Sequence, residues 1–498
     1  MMLDTEILPA RPRRAARNLF ELSLDLPPKS SRNVLRALHE QLRTAILDGR
    51  FAAGLQLPAS RALAERLGLS RNTVVAAYDL LLSEGYIVTH PGSGTFVAAV
   101  ARGKKPIAPT EDADSRLNSV WRDAAPYVPF RKGNVIYDFR TGAPDTSRFP
   151  FEIWRRLHNR SLRELARTQS RYGDAAGDPS LREAIANHVS FTRAVACESD
   201  NIVVTAGAQQ AFDLLARVLV TPGRTVVAVE HPGYRSTRAV FASAGALIRP
   251  VPVDEEGIVV ADIPHDTKII CVTPSHQFPM GVPMSPARRA ALLRFAAEHH
   301  AVIVEDDYDG EFRFEGRPLD ALQTLDDSDS VFYVGTFSKS LFPGLRQGFL
   351  VAPRWSIKAL SSARQLCDWH APIIDQRTLA AFIGEGHLAR HVRRMRKVYD
   401  ERRRALRTAL TRHCGTELVP FPSFAGLHLS ARVNGAVDPA LAVTHAAQLG
   451  IAMESFSRYA ALETVPRGLI FGYSMIKDSL IDTAAQKVAE ALRIAALR

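Results

Sequence analysis

Five short apolar runs, rich in β-branched residues and separated by helical stretches, constrain this chain more than any other feature. They are Ile202–Thr205, Thr225–Glu230, Ile269–Val272, Val302–Glu305 and Val331–Val334. Short apolar runs of this kind fit strands covered on both faces, and strands that alternate with helices usually pair in parallel. From Asp138 onward the expectation is therefore an α/β domain. It has a mostly parallel sheet with helices on both faces, followed by a smaller C-terminal α+β part from about Ala436. In such sheets functional side chains stand just past the carboxyl ends of the strands. Chemistry is accordingly expected at those five places.

Past Val331–Val334 comes TFSKSLFPGLRQG, residues Thr336–Gly348. Lys339 lies among the hydroxyls of Thr336, Ser338 and Ser340, with Arg346 seven positions on. An amine on a short loop, beside hydroxyl donors and a guanidinium fork, suits covalent capture of a phosphorylated aldehyde cofactor. Past Ile202–Thr205, the small residues Ala206, Gly207 and Ala208 open a helix whose N–H groups can hold a phosphate. The other strand ends carry His231-Pro232-Gly233-Tyr234, the segment TPSHQFPMG (Thr273–Gly281), and Asp306-Asp307-Tyr308.

In this order, the segments resemble fold-type I enzymes that use pyridoxal 5′-phosphate (PLP), the aspartate aminotransferase superfamily. The resemblance implies that Lys339 is the catalytic Schiff-base lysine. It also implies that Gly207, Ala208, Gln209, Thr336, Ser338 and Arg346 bind the cofactor, most of them at its phosphate. Tyr234 would lie over the pyridine ring, Asp306 (or else Asp307) would face the ring nitrogen, and Tyr308 would reach O3′. The chain departs from the pattern twice. Phe278 replaces an asparagine that contacts O3′ in many of these enzymes, leaving His276 or Gln277 as substitutes. The Asp306–Tyr308 spacing is one residue tighter than the usual D-x-x-Y. Both are traits of the regulator branch, the MocR-type proteins. An arginine of the small C-terminal part would clamp a substrate carboxylate, with Arg458 and Arg467 both open. No metal site is expected.

The front of the chain has a different character. Asn33–Leu47 is helical by periodicity, with Val34, Leu35, Leu38, Leu42 and Ile46 mostly on one face. A second helix follows Ser60 as N-cap, with Leu63, Ala64 and Leu67 inward, and stops at Gly68. Ser70 then caps a third, Arg71 to about Ser83, with Val74, Tyr78, Leu81 and Leu82 buried. This is a helix-turn-helix spacing. Two β runs around His90-Pro91-Gly92-Ser93-Gly94 add a hairpin wing. The stretch LPASRALAERLGLSRNTVVAAYDLLLSEGYIVTHPGSGTFV resembles the winged helix-turn-helix domain of GntR-type repressors. That implies DNA contacts from Arg61, Ser70, Arg71, Asn72 and Thr73, and from His90, Gly92, Ser93 and Gly94 in the wing.

The formal net charge of +11 agrees with a polyanionic partner. Four scattered cysteines without metal-ligand spacing, and an N-terminus lacking a signal-peptide core, predict a cytoplasmic protein. The expected organisation is a DNA-binding domain over 30–98, a linker over 99–137 and an aminotransferase-like domain over 138–498. Together these resemble MocR-type regulators over nearly the whole chain. The resemblance implies a homodimer that binds duplex operator DNA and senses PLP or an amine or amino-acid effector. The alternative is a working PLP-dependent aminotransferase with an appended DNA-binding domain.

Overall fold

The structure is a computed structural model and describes residues 24–28, 31, 33–99, 116, 118–122, 135–168, 171–315 and 320–496. Most of the tether expected over 99–137 lies outside these residues. The chain divides into two compact units, Met1–Ala124 and Ala125–Arg498.

In the first unit the helices are Val34–Leu47, Ser60–Leu67 and Arg71–Ser83. Ser70 caps the third helix as expected, its Oγ accepting from the Thr73 N–H at 3.1 Å. Ser60 does not cap the second. Ala59 holds the extended N-cap position, so Ser60 begins the helix itself, one residue too late to reach the orphan N–H groups. Leu82, expected inside, is 44% exposed. The buried stripe runs through Val74, Ala77, Tyr78 and Leu81, and position 82 falls beside it.

The wing strands Ile87–His90 and Gly94–Val97 pair antiparallel, His90 opposite Gly94. Leu55 and Leu57 add backbone bonds to Val97 and Thr95 along the outer strand. The Gln56 side chain between them donates to the Ser93 carbonyl at 2.8 Å, holding the wing tip. A Cβ at Gly94, where φ is +114°, would lie 2.7 Å from that amide nitrogen. Gly94→Ala is therefore expected to loosen the wing at little cost to the helical core, read as DNA affinity against the thermal midpoint.

The second unit is built on an eight-stranded sheet. Its order is Ile202–Thr205, Gly348–Val351, Val331–Thr336, Val302–Asp307, Thr267–Val272, Val226–His231, Leu247–Asp254 and Gly257–Ile258. All five expected strands are present, and the central ones pair in parallel. Gly348–Val351 is antiparallel to both neighbours, placing Gly348 opposite Thr205 on one side and Thr336 on the other. Apolar residues cover both faces: Val203, Phe212, Val227, Val304, Phe332 and Leu350 lie in one cluster, and Ala228, Ile270, Leu292 and Ile303 in another.

The smaller part carries an antiparallel sheet, Leu418–Pro420, His428–Val433, Gly468–Gly472 and Glu454–Ser455, beside the helix Ile481–Ala496. Charge alone would place the arginine-rich helix His387–Cys414 in solvent, and the structure departs from that in part. Arg402 and Arg403 are buried, Arg402 between Asp145 and Asp478, Arg403 between Glu315 and Asp400. A guanidinium tolerates burial when carboxylates and carbonyls satisfy its donors.

Candidate functional site

The strand ends converge where expected. Gly348 stands where three segments meet: a Cβ on it would lie 2.7 Å from the Gly207 Cα and 2.9 Å from the Gly335 carbonyl oxygen. This brings the turn after Ile202–Thr205 beside the Thr336–Ser338 loop. Gly207 is the N-cap of the helix Ala208–Leu219, with Ala208 and Gln209 in its first turn. Its φ of +84° disfavours a side chain, and a Cβ there would point at the Arg346 guanidinium 3.4 Å away. Arg346 itself sits in the left-handed region, φ +51°, and donates through Nη2 to the Ala206 carbonyl at 2.6 Å. Such a conformation costs on the order of 1–3 kcal/mol for a residue with a Cβ. Thr336 Oγ1 bonds Ser338 Oγ at 3.0 Å and accepts from the Ser338 N–H. A helix N-terminus, two hydroxyls and a guanidinium are thus brought together, donors of the kind that can hold a phosphate.

Lys339 is half-buried in this loop, and its Nζ donates to the Gly142 carbonyl at 2.6 Å. Burial holds the amine below the usual lysine range; Asp309 and Asp306 oppose that effect, and Arg346 adds to it. An amine with a depressed proton affinity is the nucleophilic form. Gly142 was not foreseen, since it contributes only a carbonyl from 197 residues away.

Asp306 and Asp307 are consecutive residues of one strand, so their side chains leave opposite faces. Asp307 receives Arg193 Nε at 2.6 Å and the Tyr333 hydroxyl at 2.6 Å, all buried. It is committed to the fold, which removes it as the alternative carboxylate. Asp306 is different. Among the described residues its buried Oδ1 has no hydrogen-bond partner. Burial, then Asp307, push its carboxyl up to about 8, against the lowering effect of Lys339. A buried carboxylate with one orphaned oxygen, beside a half-buried amine and a set of phosphate-type donors, fits PLP, whose ring nitrogen would supply the missing donor.

The remaining positions sort clearly. Tyr234 lines a cavity together with Glu230, Thr273 and Asp306, and its ring meets Phe278 edge-on at 5.9 Å. Gln277 is used up structurally: its amide donates to Glu230, the Pro232 carbonyl and the Phe278 carbonyl, and accepts from the Met280 N–H. His276 is the one of the two that reaches the Tyr308 hydroxyl, with Nδ1 at 3.0 Å and its carbonyl accepting from the same hydroxyl at 3.0 Å. Arg467 donates to the Gly435 and Val437 carbonyls. Arg458 pairs with Glu454, which also receives the hydroxyl of Thr141, the neighbour of Gly142.

In the first unit Arg61, Ser70, Arg71, Asn72, His90, Gly92, Ser93 and Gly94 are exposed and Thr73 is half-buried. Thr73 Oγ1 and Ser70 Oγ lie 2.8 Å apart, so both hydroxyls already serve the cap. His90 rests against Phe96 with ring centroids 5.5 Å apart.

Without cofactor the site carries a pH-dependent penalty. The Asp306 carboxyl is raised to about 8, and burial raises Glu230 and Glu305 to about 7. Each binds its proton more tightly folded than unfolded, so the folded state loses ground as pH climbs from the ordinary carboxyl range to those values. The thermal midpoint of the cofactor-free chain is expected to fall between about pH 5 and pH 8. Asp306→Asn is expected to flatten that slope.

These features define a two-part protein: a winged helix-turn-helix unit and a unit with the fold of PLP-dependent aminotransferases. Family comparisons agree. Residues 35–97 match the bacterial regulatory proteins of the gntR family, and residues 135–466 match aminotransferase class I and II. The second unit is similar to the Pyrococcus horikoshii kynurenine aminotransferase (27% identity, TM-score 0.68, 73% of this chain and 92% of that one). It is also similar to the Thermus thermophilus α-aminoadipate aminotransferase LysN (26%, TM-score 0.67, 73% and 93%). Similarity to regulators spans both units. The probable rhizopine catabolism regulatory protein MocR of Rhizobium meliloti is 38% identical over 89% of this chain and 90% of its own length. The pyridoxine biosynthesis regulator PdxR of Corynebacterium glutamicum is 32% identical over 96% and 100%. The chain belongs to the MocR-type family of DNA-binding transcription regulators. Among the described residues, no helix is long and apolar enough to cross a membrane.

Proposed function

We propose that this regulator carries PLP on Lys339 and changes its hold on operator DNA when an amine or amino-acid effector engages that site. The observation that carries the reading is the pairing of a partly desolvated amine, Lys339, with the buried carboxylate of Asp306, whose Oδ1 has no partner among the described residues, beside the Arg346–Gly207 set. When bound, PLP supplies an aldehyde that takes amines covalently and a ring that withdraws electrons. Asp306 holds a proton at the ring nitrogen, Tyr308 donates to O3′, and Tyr234 covers the ring. Gly207, Ala208, Gln209, Thr336, Ser338 and Arg346 bind the phosphate. Phe278, at the place where the aminotransferase resemblance implies an asparagine, packs edge-on against Tyr459 at 4.7 Å and excludes water from the ring's edge.

The protein acts in the cytoplasm as a homodimer, with the DNA-binding domain over 30–98, a linker over 99–137 and the cofactor domain over 138–498. Arg61, Ser70, Arg71, Asn72, Thr73, His90, Gly92, Ser93 and Gly94 meet DNA. An effector alters DNA binding only by favouring one of two arrangements of the protein, so its affinity must differ between them. Arg71→Ala is expected to weaken operator binding by about 1–3 kcal/mol while PLP uptake stays unchanged. Measuring both on one preparation tests the division of labour; joint loss would contradict it.

A further inference from the structure

Behind Tyr308, and acting electrostatically on Lys339, lies a buried pair, Asp309 and His276, to which the proposed function gives no role. Asp309 is 1% exposed, and its Oδ2 lies 2.9 Å from His276 Nδ1, which is also 3.0 Å from the Tyr308 hydroxyl. His276 Nε2 is buried and has no partner among the described residues. His428 packs at a tilt against the same imidazole, centroids 4.5 Å apart, and bonds the Pro279 carbonyl. Gly426 closes the cluster: a Cβ there would lie 2.1 Å from His276 Cε1 and 2.7 Å from Asp309 Oδ2. The loop after Thr267–Val272, the loop after Val302–Asp307 and the strand His428–Val433 all contribute, so the pair is assembled by the fold.

We propose that Asp309, held by His276, is the second carboxylate of the cofactor site: its charge retains the proton on the nitrogen contributed by Lys339, while His276 orients the Tyr308 hydroxyl. This rests on Lys339 carrying PLP, and it assigns both residues a positioning role. Asp306 serves the ring nitrogen; Asp309 serves the amine end. Of the charges acting on Lys339, Asp309 is the larger one favouring the protonated form, ahead of Asp306, with Arg346 opposing. The other titratable groups around the pair are His428, Tyr308, Tyr473 and Glu311. Burial keeps His428 neutral and both phenols protonated, and it favours the neutral form of Glu311. With His276 Nδ1–H donating to Asp309, the Tyr308 hydrogen is free to leave the His276 carbonyl for O3′.

The test is a pH titration of the visible band of the full chain loaded with PLP, which reports the proton on that nitrogen without any turnover. Asp309→Asn is expected to retain PLP and lower the titration midpoint by about 1–3 pH units, the effect of removing a nearby opposite charge. Asp309→Ala gives the same reading should the amide variant misfold. A midpoint within about 0.3 units of wild type would overturn the proposal, as would loss of the fold in both variants, which would make the carboxylate structural. The wild-type titration is repeated with excess EDTA, because His276, Asp309 and His428 place ligand atoms within 4.8 Å of one another. An unchanged midpoint is expected; a chelator-dependent one would replace the proton account with a metal site. A wild-type chain that takes up no colour fails at Lys339 itself, a separate outcome that removes the foundation of this inference.

Discussion

Lys339→Ala is expected to abolish stable PLP retention: the variant should emerge colourless from gel filtration after incubation with excess PLP, where wild type stays yellow. The effect is large because the covalent bond is lost while every other contact remains. The phosphate set of Arg346, Thr336, Ser338 and the helix at Ala208 is independent of the Lys339 side chain. Weak, reversible PLP binding should therefore persist in the variant, visible as a concentration-dependent rise in thermal midpoint. Folding should not suffer, since among the described residues Lys339 makes one hydrogen bond, to Gly142, and its amine is held below the lysine range by desolvation. Removing it relieves a cost.

The second large effect separates two neighbouring aspartates. Asp307→Ala is expected to destabilise the chain by about 3–5 kcal/mol, because it strips the counter-charge from buried Arg193 and a partner from the Tyr333 hydroxyl. Asp306→Asn is expected to leave stability unchanged at pH 5 and raise it near pH 8, where the carboxylate is otherwise forced into charge. The same Asp306→Asn chain should hold PLP poorly. Denaturant unfolding of both variants at the two pH values checks the contrast. Equal destabilisation would mean that the two side chains do not face opposite ways.

That contrast also shows where the sequence is legible and where it is not. The five strand ends could be read because each β-branched run stops abruptly at glycine, hydroxyl or charged residues, and such an interruption is local. The choice between Asp306 and Asp307 depends on which face of the strand meets Arg193, 114 residues away. Asp309 looks like one more member of an acidic loop until His276 and Gly426 are folded against it. Gly142 offers only a carbonyl, so no residue type announces it. The arginines of the His387–Cys414 helix read as solvent-facing because charge usually means solvent. Arg403 is instead 1% exposed, satisfied by Asp400 and by Glu315 from a distant loop. In the DNA-binding unit, the one residue missed at the wing, Gln56, acts through a side-chain bond to a backbone carbonyl 37 residues on. Periodicity carries the burial of an element's own face; it carries nothing about which distant polar group completes a site.

The most direct measurement is the affinity of the full chain for the intergenic DNA upstream of its own gene, with and without PLP, for wild type and Lys339→Ala in parallel. In wild type, PLP should shift the dissociation constant by about 5-fold or more, the coupling expected between two linked sites. In Lys339→Ala that shift should vanish while DNA binding itself survives. Identical DNA affinity in wild type with and without PLP, or an equal shift in both proteins, would contradict a regulator whose grip on DNA answers to what Lys339 holds.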